Sequence, residues 1–543
     1  MCGLFGATFK LLEDTIKEVG QLMNHRGPDG FGYCIIDNYT AIHRLLAITD
    51  LENGNQPIIT DKGILTFVGE IFNYPDLKKE FKLRTNCDTE LLYHGIAKYG
   101  FKEFVAKLQG MYAISYYDRI NKKIYLARDR SGIKGIYYAK LLEGYIFCSE
   151  LKPLLHLGAS KDLSSYATKL YLTLGYVPGP ATILKRVKKV CPGQIITIDL
   201  QNLQLSSEYN LPKLSTGNSN FAEFDFLLEQ AVERSMMGVR NIGLLLSGGL
   251  DSNLIYFKLK KLGYEPQTFS SRFSNKEFDD DFRGATLSNP NNIPCDIVYK
   301  DFLEADEETV SALEEPRFAR NTPAYLLTLK QLSQKDITVV LSGDGGDEIF
   351  TGYDRHPHIV ECYKPRNVFI NWIGLNRLND AFNVNELVDY MKEWFPYDKF
   401  GDDHINNMLF VEQMTHLADD FLIRNDKLGM HWSMEARFPL LYDDFKNYVM
   451  KMPGTFKMNK VFLREWYKDL LPPYVITKKK SGWSIPFKDW YSTTYYANRF
   501  VKARSWFNNT FNFTEQERTM MNNSKTNISL YHLHLWCRDI GIL

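Results

Sequence analysis

Two folds in series are predicted by this sequence: a sheet-rich α+β region over 1–210, then an α/β region with a parallel sheet over 221–543. Three observations predict them. Short β-type segments crowd the first two hundred residues. A polar stretch with Pro, Gly and Ser, LPKLSTGNSN (211–220), then breaks the pattern and reads as a linker. Beyond it, strand-like and helix-like segments alternate, and such alternation needs the crossover connections of a parallel sheet.

The elements follow in order. FGYCIID (31–37), GILTFVGEIFN (63–73), MYAISYYD (111–118), KIYLARD (123–129), GYIFCSE (144–150) and GQIITIDL (193–200) read as strands separated by turn residues. Helical spacing recurs near 13–24, 88–98 and 102–108. After the linker, FAEFDFLLEQAVERSMM is an amphipathic helix. NIGLLLSGGLDSNLIYFKLKKLG reads as a buried strand, a glycine turn and a helix, and ITVVLSGDGGDEIFTGY repeats the strand and turn. The C-terminal part is mostly helical, and there is no internal repeat or low-complexity segment.

Bulk properties exclude several classes. The 543 residues are 44% apolar and 24% charged, ordinary for a globular chain long enough for two to four domains. Lys plus Arg and Asp plus Glu stand at 65 each, so no charge excess points to nucleic acid or a membrane. Apolar runs fall short of the ~18 residues of a spanning helix, and the N-terminus has no signal-peptide pattern. The eight cysteines include no CxxC pair, which argues against a zinc site or a disulfide framework. A reducing, cytoplasmic setting is expected.

Three stretches carry chemistry. The chain opens MCGLFG, and removal of Met1 leaves Cys2 with a thiol and a free α-amine on one residue, the arrangement of an N-terminal nucleophile. LLLSGGLDS (244–252) is an apolar strand running into glycines and a helix start, which suits an anion at backbone N–H groups. The Walker pattern is absent. The loop resembles the SGGxDS pyrophosphate loop of ATP pyrophosphatases. A second turn, LSGDGGDE (341–348), brings Ser342 and Gly343 toward the nucleotide. It also supplies Asp347, which with Asp251 would hold Mg²⁺, since hard oxygen ligands suit that ion.

Together with MCG, these loops resemble the glutamine-hydrolysing asparagine synthetase family over nearly the whole chain. Further matches are MNHRGPDGFG (23–32), GNQP (54–57), GEIFNY (69–74), CDTELL (87–92), LQGMYAISYYD (108–118), ARDRSGIKGIYY (127–138), SELK (149–152), NDKLGMHWSMEARFPLL (425–441), KVFLR (460–464) and KKKSGWSIP (478–486). The resemblance implies an Ntn-hydrolase-type αββα glutaminase domain followed by an ATP-pyrophosphatase domain. Glutamine would be hydrolysed through a Cys2 thioester, with the Gly69 N–H on the oxyanion and Arg26, Glu70 and Asp88 around the substrate. ATP would lie against Leu246, Ser247, Gly248, Gly249, Asp251, Ser252, Ser271, Ser342 and Gly343. Asp344 would serve acyl-adenylate formation, Lys460 would balance charge near the phosphates, and Arg320 would hold the acceptor carboxylate. Lys480 and Arg437 are further basic candidates.

Two departures stand out. The family reads HRRLSI or HERLSI where this chain reads HRLLAI (43–48), so Leu45 replaces the arginine expected on glutamine's carboxylate. It reads NGE where this chain reads VGE (68–70), so Val68 replaces an oxyanion donor. Arg44 is adjacent, but neighbours on a strand face opposite sides. The expected reaction is amidation of a carboxylate, aspartate first, with ATP, Mg²⁺ and ammonia from weakened glutamine hydrolysis or from solution. The alternatives are a relative that amidates a sugar uronic acid or natural-product acid, and a non-catalytic glutamine- or nucleotide-binding protein. The resemblance leaves room for a homodimer.

Overall fold

The computed structural model describes residues 2–217, 219–238, 240–273, 278–318, 321–357, 384–394, 400–478, 485–520 and 524–543. In the first region two antiparallel six-stranded sheets lie face to face. One runs Val187–Lys189, Tyr137–Lys140, Tyr145–Cys148, Gly3–Ala7, Tyr39–Leu45, Gly30–Ile36. The other runs Leu205–Tyr209, Gln194–Asp199, Lys123–Arg128, Gly110–Asp118, Gly63–Ile71, Ile58–Ile59. The apolar layer between them holds Leu4, Ala41, Ile64, Val68, Ala113, Leu126 and Ile196, and Cys2 belongs to it. Residues two apart on each strand reach this layer, as strand alternation requires. Glu13–Leu22 and Leu151–His156 cover the first sheet, and Asp88–Tyr99 and Phe101–Val105 cover the second. The result is the expected αββα sandwich.

All six predicted strands of this region form. The strand Gly3–Ala7 was not predicted, because five residues with two glycines give little alternation, yet all five are buried between neighbours. The helix expected to reach 108 stops at Val105.

The second region is a parallel five-stranded sheet, in the order Ile293–Ile297, Gln267–Phe273, Ile242–Leu245, Val339–Leu341, Glu435–Arg437. The chain leaves Ile242–Leu245 for one side of the sheet and returns on the other at Val339–Leu341. Ligands of open α/β sheets bind at the carboxyl ends of strands at such a reversal of order. Both glycine loops follow these two strands. A single helical rod, His404–Glu412, Gln413–Leu422 and Ile423–His431, is wound as a π-helix in its middle segment. Its last part packs on both regions.

Buried ion pairs join the regions there. Arg26 contacts Glu150 at 2.6 Å and Asp426 at 2.9 Å, and Lys134 meets Asp426 at 3.1 Å. Lys427 contacts Glu150 at 2.5 Å and Glu314 at 2.6 Å. No helix among the described residues is long and apolar enough to cross a membrane.

Candidate active sites

The strand Gly3–Ala7 holds Cys2 at its start, against a cavity of about 40 Å³ walled by Leu45, Leu46, Ile48, Phe67, Gly69, Glu70, Asp88 and Glu435, among others. Burial pushes the Cys2 thiol above its usual range, and its Sγ lies 4.0 Å from the Leu46 carbonyl. Gly69 has φ +135°, and a Cβ there would sit 1.9 Å from the Met111 carbonyl oxygen, so only glycine fits. Asp88 starts its helix and accepts from the Ile71 N–H at 3.2 Å. Burial pushes its carboxyl up to about 7 against that bond, with Glu435 adding to the rise. Glu70 accepts from Thr49 at 2.9 Å, and burial beside Asp88 pushes it up to about 8 despite Arg437 at 3.3 Å.

The departures have structural counterparts. Leu45 is an apolar wall of the cavity and Val68 is buried in the layer between the sheets. Arg44 faces away: it donates to the Gly20 carbonyl at 2.8 Å and lies 4.5 Å over the Phe31 ring. No Lys or Arg lines this cavity among the described residues. Arg26 does not line it either. Its Nε donates to the Cys2 carbonyl at 3.0 Å while its other nitrogens hold Glu150 and Asp426. Glu435 arrives from the second region's edge strand. Burial opposes its charge, yet Arg437 at 2.6 Å holds it below the usual carboxylate range.

The second cavity is far larger, about 710 Å³, and lies between the two glycine loops. Leu246, Ser247, Gly249, Asp251, Ser252, Ser271, Ser342, Gly343, Asp344, Asp347 and Lys460 all line it. The loops touch: a Cβ on Gly343 would stand 2.9 Å from the Ser252 nitrogen, so a side chain would force them apart. The Ser247 and Ser252 hydroxyls lie 3.0 Å apart, shaping the turn before the helix Leu250–Lys261. Lys460 Nζ contacts Asp251 Oδ2 and Asp347 Oδ1, both at 2.5 Å. Asn459 and Lys460 have φ of 54° and 57°, a costly conformation for two successive non-glycine residues. That turn delivers the lysine between the two carboxylates.

Family models match this architecture half by half. A glutamine amidotransferase domain matches residues 1–210, and asparagine synthase matches residues 223–536, more than half the chain. The chain belongs to the asparagine synthase family. It is 28% identical over 557 residues to asparagine synthetase (glutamine-hydrolyzing) 1 of Bacillus subtilis strain 168, covering 90% of this chain and 88% of that one. It is 27% identical over 544 residues to asparagine synthetase (glutamine-hydrolyzing) 3 of the same strain, covering 89% and 86%. The asparagine synthetase (glutamine-hydrolyzing) of Cricetulus griseus is 27% identical over 531 residues, covering 89% and 84%. The amidotransferase and asparagine synthase halves make an ATP-dependent amidating ligase.

Within this asparagine synthase architecture the structure gathers the second set of predicted residues more fully than the first. Gly248 belongs to the first glycine loop without lining the cavity. Arg437 is spent on Glu435, Glu70 and the Ser235 carbonyl rather than on phosphates. Arg320 and Lys480 lie outside the described residues. Sequence reasoning missed Asn425, whose amide donates to Asp344 Oδ2 at 2.7 Å alongside the Ser342 hydroxyl at 2.8 Å. It also missed Glu435. Both lie inside a quoted motif, but only the fold shows what they face.

Proposed function

We propose that this protein converts aspartate to asparagine through an acyl-adenylate, drawing its nitrogen chiefly from free ammonia. The observation that carries the reading is the convergence of Asp251, Asp347 and Lys460 between two touching glycine loops at the sheet's switch point. Loop N–H groups and the start of the helix Leu250–Lys261 hold the pyrophosphate end of ATP. Asp251 and Asp347 already converge on one cation, Lys460, so the pair suits Mg²⁺, which is commonly bound by one or two carboxylates plus phosphates. When bound, Mg²⁺ neutralises phosphate charge. Lys460 is then released toward the oxygens of the departing pyrophosphate. Asp344, fixed by Ser342 and Asn425, orients the acceptor. A carboxylate oxygen of the acceptor attacks the α-phosphorus and the bond to pyrophosphate breaks. Ammonia then attacks the acyl carbon, loses a proton and expels AMP.

Glutamine use is weak on this reading. Cys2 is present, but the cavity offers no cation for the α-carboxylate, and the side chain at 68 donates nothing to the oxyanion. Losing one oxyanion donor costs about 10²–10³ in rate. Arg26 acts on glutamine indirectly, by fixing the Cys2 carbonyl. The test supplies ATP, Mg²⁺, aspartate and either ammonium or glutamine, and measures pyrophosphate and AMP. Ammonium should support faster turnover, and Cys2→Ala should abolish glutamine use while sparing ammonium use. ADP as product would defeat the adenylation reading. Equal use of both nitrogen sources would defeat the weakened-glutaminase reading.

A further inference from the structure

Arg424 is the unusual cation of this molecule. It opens the last part of the helical rod, one residue before the Asn425 that reaches Asp344. Its side chain is 7% exposed. Its Nε is buried with no hydrogen-bond partner, and among the described residues no carboxylate pairs with its guanidinium. The only contact it makes with a ring is with Phe421, 4.7 Å away, among the described residues. The other buried cations described above, Arg26, Lys134, Lys427, Arg437 and Lys460, are each answered by a carboxylate. Leaving a charge buried without a counter-charge is costly, so an unanswered guanidinium signals an anion that arrives with a ligand.

The direction of that ligand is also fixed. Tyr325 lines the large cavity, and its hydroxyl, pushed well up by burial, feels Asp344 on one side and Arg424 on the other. Arg424 therefore lies beyond Asp344 and Tyr325, on the side away from Lys460 and the glycine loops, where the phosphates are met. We infer that Arg424 is the seat for a second carboxylate on the acceptor, the one that is not activated, and that it selects dicarboxylic acids over monocarboxylic ones. The guanidinium fork suits a carboxylate bound through two parallel hydrogen bonds. The reacting carboxylate then lies toward Asp344 and the α-phosphate, with the acceptor spanning the gap. This rests on the amidation reading above and names the chemistry its acceptor must carry.

The experiment uses the full chain with ATP, Mg²⁺ and ammonium, and measures pyrophosphate release with three matched pairs: aspartate and β-alanine, glutamate and 4-aminobutyrate, succinate and propionate. Each second acid lacks one carboxylate of the first. For the best pair, kcat/KM should favour the diacid by about 10–10²-fold, the worth of one charged hydrogen-bonded contact. Arg424→Gln should bring that ratio close to one by raising the KM of the diacid, while the KM values of ATP and the monoacid stay put. Arg424→Lys should keep part of the preference. An unchanged ratio in Arg424→Gln overturns the inference. So does a rise in the KM of ATP instead, which would give the guanidinium to a phosphate. If no acid supports pyrophosphate release, the amidation reading falls, and calorimetric binding of the three diacids beside a non-hydrolysable ATP analogue decides the seat alone. Binding lost in Arg424→Gln supports it, and binding absent from the wild type or unchanged in the variant overturns it.

Discussion

The cavity beside Cys2 and the cavity between the glycine loops differ in more than size, about 40 Å³ against about 710 Å³. In the larger one, charges of both signs meet: Asp251 and Asp347 with Lys460, and Lys478 with Asp281 at 3.0 Å. In the smaller one, Glu70, Asp88 and Glu435 face apolar walls with no lining Lys or Arg among the described residues. A polyanion with its metal exchanges readily with an internally paired site of the first kind. A zwitterion such as glutamine finds in the second a partner for its amine and none for its carboxylate. A nucleophile in the right place is therefore not equivalent to a working site, because the groups around it decide which charges are welcome.

Four measurements break or sharpen this contrast. The largest effect belongs to the metal-suited carboxylates. Asp251→Asn should lower ATP-dependent pyrophosphate release by about 10²–10³-fold, the scale of losing one preorganised electrostatic group, while the alkylation rate of Cys2 stays unchanged. Near-normal release would remove Asp251 from the reaction.

Next comes the join between the two sites. Arg26→Ala leaves Glu150 and Asp426 buried with less compensation and should cost about 3–5 kcal/mol of stability, as for other broken buried pairs. Chemical denaturation checks this, and a cost below 1 kcal/mol would mean that water replaces the guanidinium.

The repairs to the small cavity come third. If Cys2 is functional, Leu45→Arg should mainly lower the KM for glutamine, and Val68→Asn should mainly raise kcat, each by about 10–10²-fold. Steady-state ammonia release separates the two, and a single parameter moving in both variants would show that the losses are not independent.

The smallest effect is a slope. Glu70 and Asp88 are raised to about 8 and about 7 by burial. The folded protein thus keeps protons that unfolded carboxylates release near pH 4. The stability tied to those protons is complete below about pH 4 and is lost as pH climbs toward 8. The melting temperature should fall across that window, and Glu70→Gln should flatten the fall. Parallel curves for the two proteins would rule out Glu70 as a source.

Local features were legible in the sequence, and long-range ones were not. Alternation revealed the strands Gly110–Asp118 and Gln194–Asp199 because each has one face on the inter-sheet layer. Glycine turns after apolar strands revealed both phosphate loops, since that chemistry is set by adjacent residues. The edge strand Glu435–Arg437 gave no signal: three residues carry no period, and its pairing with Val339–Leu341 comes from tertiary structure. Arg26 was read as a glutamine ligand because its motif lies near the nucleophile. Its carboxylate partners are 124 and 400 residues away, beyond any pattern of spacing. Asn425 escaped for the same reason, 81 residues from Asp344. Arg424 escaped because a missing partner cannot be seen in a sequence.

The ion network at the join also bears on how the two halves can be inherited. Arg26, Lys134 and Glu150 come from the first region, and Asp426, Lys427 and Glu314 from the second. Neither trio is neutral, the first carrying an excess positive charge and the second an excess negative one, while the six together balance. Separating the halves would therefore expose a mismatched surface on each. Grafting either half onto a foreign partner would require that partner to carry the complementary set. Even with its glutamine chemistry eroded, the N-terminal half remains the counter-charge that its neighbour needs in order to fold, and this gives selection a reason to retain it that has nothing to do with turnover.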